Sequence, residues 1–496
     1  MSSPDQSALE WIKILDPGEL PEGRVKTVVV GTRSLAVTHL DGDYTAMDNR
    51  CPHQGGPLGE GSIECDHDGR YWLRCPWHGW DFDPKTGVSP GGHEDEGQTV
   101  YPTATKEDGI YIGLESEPAR VATVMDIMAE TMVNWGIKSV FGMVGHSNLG
   151  LADAFRMQEQ QGNLSFFGIR HEGAAAFACS GYAKLSGKPA ACLSIAGPGA
   201  TNLMTGLWDA KVDRAPLLAL TGQVNVQVFG PGAFQEIDLA AAFEPVAHFS
   251  QTVLHSSKHA ELMTLACKNA IVNREVAHLI FPDDVQTLPA GETAKASGPT
   301  GRVGSHLITA ARDSVDAALG LIASHKRPII IVGYGAREAM PEVINLAERL
   351  NAPILTTFKG KGQISDHHPL AAGVLGRSGT PIASWFMNEC DLIIAFGTSF
   401  SNHTGITEKR PIIQVDFDRM ALGKFHPVTV PVWGEIGTTA DLLSQEIPKD
   451  FATVDQRPEL DERWTIWREE KQSRMRDDLG HGLNSASIFA SLSEVA

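Results

Sequence analysis

Little in this sequence could cross-link or anchor the chain. Seven cysteines, an odd number, are spread thinly over 496 residues: Cys51, Cys65, Cys75, Cys179, Cys192, Cys267 and Cys390. That argues against a disulfide framework and fits a reducing compartment. No apolar run approaches the twenty or so residues that a transmembrane helix needs. Residues Met1 to Glu10 are polar and acidic, without the basic-then-apolar pattern of a signal peptide, so the expected location is the cytoplasm. Basic residues are scarce. The 41 Lys and Arg against 60 Asp and Glu leave a net charge of −19, which argues against a nucleic-acid partner. The imbalance is uneven, since residues 1–120 hold 21 acidic and 10 basic side chains and so carry −11 of the total. Such a face either steers a basic partner or keeps the chain soluble. No internal repeat at solenoid spacing is visible.

What is present is enough chain for three or four cores, with an ordinary hydrophobic content of 42%. Up to about Glu117 the pattern is of short strands and turns, such as Thr27–Val30, Leu35–Val37 and Ile110–Ile112. From about Arg120 amphipathic segments alternate with short apolar runs such as Ser139–Phe141, Ser165–Ile169 and Leu217–Leu220. That alternation predicts parallel sheets covered by helices. A stretch rich in Pro, Gly, Ala, Ser and Thr, Leu288–Ser305, reads as a linker. A second α/β unit follows, with strands predicted near Ile329–Val332, Ile354–Thr356, Leu392–Phe396 and Ile412–Val415. After Pro448, Leu460, Trp464 and Trp467 fall at helical spacing, which predicts a connecting helix.

Two short motifs carry metal chemistry. Cys51-Pro52-His53 is followed, after 21 intervening residues, by Cys75-Pro76-Trp77-His78. Each offers one thiolate and one imidazole on a tight loop, so two sulfurs can bind one iron and two nitrogens another. A single zinc ion accepts the same four ligands and is the alternative. Gly55, Gly56 and Gly79 would let the backbone close on the cluster. Together with Trp80-Asp81-Phe82-Asp83, the motifs resemble Rieske ferredoxins and the Rieske domains of oxygenases. The resemblance implies a [2Fe–2S] cluster on Cys51, His53, Cys75 and His78, working by single-electron transfer. Gly56 and Trp77 stand where respiratory Rieske proteins carry an extra disulfide, and Cys65 is read as structural.

Further on come Ile169-Arg170-His171-Glu172-Gly173-Ala174-Ala175-Ala176-Phe177-Ala178, Gly181-Tyr182-Ala183, Gly197-Pro198-Gly199-Ala200-Thr201-Asn202 and Ala233-Phe234-Gln235-Glu236. These resemble the pyrimidine-binding domain of thiamine-diphosphate enzymes of the pyruvate oxidase and acetolactate synthase group. By that resemblance Glu172 is the carboxylate that bonds the aminopyrimidine ring and assists deprotonation of the thiazolium carbon. Phe234 and Gln235 line the reaction pocket, and Gly197, Gly199 and Asn202 shape the cofactor site. His146 departs from the acidic residue or proline common in relatives.

Ile329-Ile330-Ile331-Val332-Gly333-Tyr334-Gly335-Ala336 is an apolar strand with a Gly-x-Gly turn, which can bring amides to a phosphate or simply pack closely. With Thr356–Gly362, Gly373–Arg377, Gly397-Thr398 and Val415-Asp416-Phe417-Asp418 in order, this region resembles the central domain of the same enzymes. There FAD is bound in the oxidase and synthase branches and absent from the decarboxylases. Gly333, Gly335, Ala336, Lys359, Gly376, Arg377, Gly397 and Asp416 are the implied flavin contacts.

The expected organisation is multidomain. An all-β Rieske domain (1–117) precedes an α/β pyrimidine domain (118–290), a linker (291–305), a Rossmann-like central domain (306–448), and a linker helix with the start of a third unit (449–496). These enzymes also present Gly-Asp-Gly and a later Asn to Mg2+ and the diphosphate, and no stretch after Pro448 matches. Asn484–Phe489 resembles the entry to that domain, so the expectation is a truncated chain, or else a separate subunit that supplies the diphosphate site. The expected function is oxidative decarboxylation of a pyruvate-like 2-oxo acid, with electrons passing through FAD and the cluster. The expected assembly is a homodimer or homotetramer. A carboligase and a non-catalytic electron carrier with a relic thiamine site are the alternatives.

Overall fold

The computed structural model describes residues 9–31, 33–53, 55–90, 97–115, 120–477, 480 and 482–495; the polar N-terminal eight lie outside it. Residues 1–299 and 300–496 are two compact units.

The first unit opens with three small antiparallel sheets. Strands β1 (Leu9–Leu15), β2 (Arg24–Val30), β3 (Arg33–Leu40), β4 (Asp43–Asp48), β5 (Ser62–Cys65), β6 (Tyr71–Arg74), β7 (Asp81–Phe82), β8 (Val100–Tyr101), β9 (Thr103–Lys106) and β10 (Gly109–Glu115) pair as β1-β10-β9, β2-β3-β4-β8 and β5-β6-β7. A cluster of Ala36, Met47, Leu58, Leu73 and Phe82 packs around Cys51 and Cys75. Both cysteines therefore lie on an apolar floor, where a soft sulfur is readily accommodated.

Six parallel strands form the next sheet: β11 (Ser139–Gly142), β12 (Ser165–Gly168), β13 (Ala190–Ser194), β14 (Leu217–Gln223), β15 (Phe249–Thr252) and β16 (Val276–Pro282), in the order β12-β11-β13-β14-β16-β15. Every residue of β13, β14 and β16 is buried, as expected when helices cover both faces of a parallel sheet. Separate hydrophobic clusters occupy the two faces. The order reverses between β11 and β13, so the loops after β11, β12, β13 and β14 gather at the carboxyl edge, where α/β sheets bind ligands.

In the second unit β17 (Pro328–Val332), β18 (Ile354–Thr356), β19 (Ala371–Val374), β20 (Leu392–Phe396), β21 (Ile412–Asp416) and β22 (Val430–Trp433) run in the order β19-β18-β17-β20-β21-β22. This is a doubly wound parallel sheet whose switch point falls between β17 and β20. The tryptophan-bearing segment forms helix Arg457–Met475, with Trp464 Nε1 donating to Ala371 O at 2.7 Å, and a last helix spans Ser485–Val495. Among the described residues no helix is long and apolar enough to cross a membrane.

Candidate functional site

The two cysteine loops share one backbone frame. Cys51 N donates to Gly56 O at 2.9 Å and Gly55 N to Cys51 O at 2.8 Å. Cys75 N donates to Trp80 O at 2.7 Å and Gly79 N to Cys75 O at 3.1 Å. The fourth residue after each cysteine is left-handed, Gly55 at φ 81° and Gly79 at φ 69°, a conformation that suits glycine. His53 and His78 sit two and three residues after their cysteines, and their rings still meet edge to face with centroids 4.9 Å apart. His53 also stacks on Trp80 at 4.7 Å. The cysteines are each 2% exposed, whereas both histidines face solvent.

This donor set fits a two-iron cluster, with thiolates inward and imidazoles outward. A Cβ on Gly56 would lie 2.7 Å from Cys75 Sγ, so only glycine leaves the sulfur its place. Arg74 and Asp81, paired across β6 and β7, form a bidentate ion pair (2.8 and 2.7 Å) at the mouth of the second loop, with Glu64 on the remaining nitrogen at 2.6 Å. The Asp81 carboxylate holds the guanidinium protonated even more firmly than usual. The pairing of Arg74 with Asp81 escaped sequence reading, which quoted Asp81 only within Trp80–Asp83; its signal is opposite charges flanking a Cys-to-Trp loop. Cys65 is exposed at the end of β5.

At the carboxyl edge of the first parallel sheet, Glu172 begins helix Glu172–Ser186, four residues after β12. His171 caps that helix, its Nδ1 accepting from Gly173 N at 3.1 Å. Glu172 is buried, and its Oε2 accepts from Asn202 Nδ2 at 3.1 Å. Its Oε1 would lie 3.0 Å from a Cβ on Gly199, so the glycine keeps open the space beside that oxygen. Gly197 (φ 66°) precedes the short helix Pro198–Asn202, and a Cβ there would lie 2.7 Å from Gln235 O. Gln235 is itself left-handed at φ 67°, beside a Phe234 that is 89% exposed. Glu172, Gly197, Gly199, Asn202 and Gln235 are thus brought together from the loops after β12, β13 and β14. Exposed His146 follows β11. Sequence reading passed over Ser147, whose Oγ accepts from Ala196 N at 2.8 Å and ties the β11 loop to the Gly197 loop.

Three family models match the chain: the Rieske [2Fe-2S] domain over residues 10–100, the N-terminal TPP binding domain of thiamine pyrophosphate enzymes over 122–242, and their central domain over 315–443. The chain carries a Rieske domain followed by two thiamine pyrophosphate enzyme domains. An acetolactate synthase of Arthrospira platensis is 34% identical over 62% of this chain and 55% of its own length. The large subunit of acetolactate synthase isozyme 1 from Escherichia coli K12 is 34% identical over 63% and 55%. A Bacillus subtilis (strain 168) protein, YdaP, provisionally named as thiamine pyrophosphate-containing, is 37% identical over 62% and 53%. The chain spans about half the length of these curated relatives.

In the thiamine pyrophosphate enzyme central domain, the Gly-x-Gly turn packs against the chain leaving β20. Gly333 N donates to Phe396 O, Gly335 N to Gly397 O and Ala336 N to Gly333 O (2.9, 3.2 and 3.1 Å), so these amides are engaged within the fold. A Cβ on Gly397 (φ 58°) would come 2.6 Å from Gly335 C. A helix does not follow the turn at once, because Tyr334–Ala336 is a 3-10 turn and the helix begins at Met340. Lys359 and Arg377 stand exposed on the loops after β18 and β19, and Asp416 closes β21. Arg377 N donates to His403 O, and Asp416 Oδ1 accepts from Asp418 N at 2.9 Å. Gly376 packs against the Phe358 ring and His403 O. Gln363, outside every quoted motif, and Thr398, quoted only beside Gly397, give the crevice its polarity. Gln363 Nε2 donates to Gly333 O at 3.2 Å, yet Gln363 Oε1 and the Thr398 hydroxyl are buried with no hydrogen-bond partner among the described residues. Buried polar atoms left without partners mark a place where a ligand can supply them.

Proposed function

We propose that the chain serves a thiamine-diphosphate-dependent enzyme that oxidatively decarboxylates a pyruvate-like 2-oxo acid, with electrons leaving through FAD and the Rieske cluster to an acceptor. The observation that carries this reading is the cradle for a one-electron carrier in the same chain as the Glu172–Asn202 pair. When bound, thiamine diphosphate supplies the carbon nucleophile that attacks the 2-oxo acid. Glu172 would hold a proton at Oε1 against the aminopyrimidine, with Asn202 fixing the other oxygen. Gly199 gives the ring access to that oxygen, while Gln235 and Phe234 line the approach of the substrate. Gly333, Gly335, Ala336, Gly376 and Gly397 would shape the flavin crevice. Lys359, Arg377, Asp416, Gln363 and Thr398 would provide its polar contacts. Mg2+ and the diphosphate anchor would come from chain beyond the matched half of the relatives or from another subunit. A cytoplasmic homodimer or homotetramer completes the proposal.

A carboligase of the acetolactate synthase type is the second reading, favoured by relatives of that name at 34% identity. It predicts an acetolactate-type product with no electron acceptor. The decisive experiment is anaerobic addition of pyruvate, thiamine diphosphate and Mg2+ while following the EPR signal of the reduced cluster. Growth of the signal only with all three, and its loss in Glu172→Gln with a normal dithionite-reduced spectrum, is the expected result. Turnover retained in Glu172→Gln would sink the role of Glu172; product formed without cluster reduction would establish the carboligase.

A further inference from the structure

Gln235 holds a backbone conformation that a residue with a side chain adopts at a cost, so something must hold it there. The structure shows what does. The Glu236 carboxylate turns back over its own loop and accepts three backbone N–H groups: Gly230 at 2.6 Å on one oxygen, and Gly232 at 3.0 Å and Ala233 at 2.9 Å on the other. Those amides, Gly230 and Ala233 foremost, keep the Glu236 carboxyl below the ordinary glutamate range, so it is ionised throughout the neutral region. The loop so closed has few apolar anchors, since Val228, Phe229 and Phe234 are all exposed. Its far end nonetheless lies against the Gly197 turn, where a Cβ would come within 2.9 Å of Gln235 Cα and its carbonyl oxygen. That turn starts the short helix whose Asn202 bonds Glu172.

We propose that Glu236 is a positioning residue: its carboxylate clasps residues 230–236 so that Gln235 backs the Gly197 turn and the Asn202–Glu172 pair keeps its register. The role in the reaction rests on the function proposed above, whereas the clasp is a property of the folded chain. Glutamine at 236 retains one neutral acceptor oxygen in place of a carboxylate, and Glu236→Asp keeps the charge on a shorter arm. Hydrogen bonds to charged acceptors are the stronger kind, so their loss should be felt beyond the loop itself.

The test is amide hydrogen exchange on the full chain, comparing wild type, Glu236→Gln and Glu236→Asp, with melting temperature and cluster absorption measured alongside. Glu236→Gln should exchange at least about tenfold faster both in 229–236 and in 197–202, with melting and cluster unaltered, and Glu236→Asp should fall between it and wild type. Faster exchange confined to 229–236, or none at all, overturns the proposal. If Glu236→Gln does not fold, the comparison of Glu236→Asp with wild type decides the matter on the same two segments. Where thiamine-dependent turnover is measurable, kcat should drop about tenfold in Glu236→Gln in step with exchange at 197–202. Retained turnover in Glu172→Gln would refute the catalytic reading and leave the exchange result standing by itself.

Discussion

Replacing Gly56 with alanine isolates the steric condition for the cluster. The added methyl would lie 2.7 Å from Cys75 Sγ and 3.1 Å from the Trp77 ring. Ordinary contacts between such atoms fall at about 3.5–4.0 Å, so sulfur or methyl must retreat by about 1 Å. Metal–ligand distances hold to about 0.2 Å, so a shift of that size is incompatible with the thiolate keeping its bond while the first loop keeps its frame. Iron and acid-labile sulfide per chain, with the EPR intensity of the dithionite-reduced protein, should fall by about 10–100-fold, the range seen when groups supporting a metal ligand are lost. Gly79→Ala is the control. Nothing lies within 4 Å of a Cβ there, but the backbone is left-handed at φ 69°. That variant should lose about 1–2 kcal/mol of stability and keep its cluster. If Gly56→Ala loads iron as fully as wild type, the sulfur is not confined as argued. If Gly79→Ala empties the site as completely as Gly56→Ala, loop conformation rather than clearance decides loading.

Two further outcomes follow from buried polar groups. His278 is fully buried on β16, bonded through Nε2 to Thr221 Oγ1 and through Nδ1 to Ser250 Oγ, both at 2.9 Å, and stacked on Phe243. Burial pushes its imidazole down to about 3, whereas the unfolded chain protonates near 6.5. The unfolded state therefore binds the proton first, so this stability is complete above about pH 6.5 and is lost at about 1.4 kcal/mol per unit as pH falls towards 3. Denaturant titrations at pH 7.5 and 5.5 should show that loss in wild type and not in His278→Gln; equal slopes would refute it. In the second unit, Thr398→Val removes a buried hydroxyl that has no partner among the described residues. It should raise the stability of the ligand-free chain by about 1 kcal/mol and, on the flavin role proposed above, weaken FAD retention at least about tenfold, read by melting and flavin absorbance. A destabilised ligand-free variant would show that the hydroxyl is already satisfied.

The two Cys–His loops were legible because each closes within six residues, Cys51 to Gly56 and Cys75 to Trp80. The strands were legible where every residue is apolar, as in Leu392–Phe396, which matches β20 end for end. Glu172 was readable as the residue after a strand that opens a helix. Its partner was not, because Asn202 lies 30 residues away and meets it only when β12 and β13 flank β11 in one sheet. The Gly-x-Gly turn left two readings open, since glycine is demanded equally by a phosphate and by a neighbouring backbone. Here Gly397, just past β20, supplies the neighbour. The contacts of Arg74, Glu236, Gln363 and Thr398 could not be read from the motifs around them, and each acquires its place from what the fold sets beside it.

By itself, then, the sequence laid out the two Cys–His loops, the order of β and α/β units, and the glutamate at the helix start. These rest on spacing, apolar runs and loop closure, all of which act over a few residues. Tertiary structure alone decided which loops share an edge, which glycines face backbone, and which buried polar atoms are left without partners. Those depend on strand order, and strand order is set by burying whole faces of a sheet at once rather than by any neighbour along the chain.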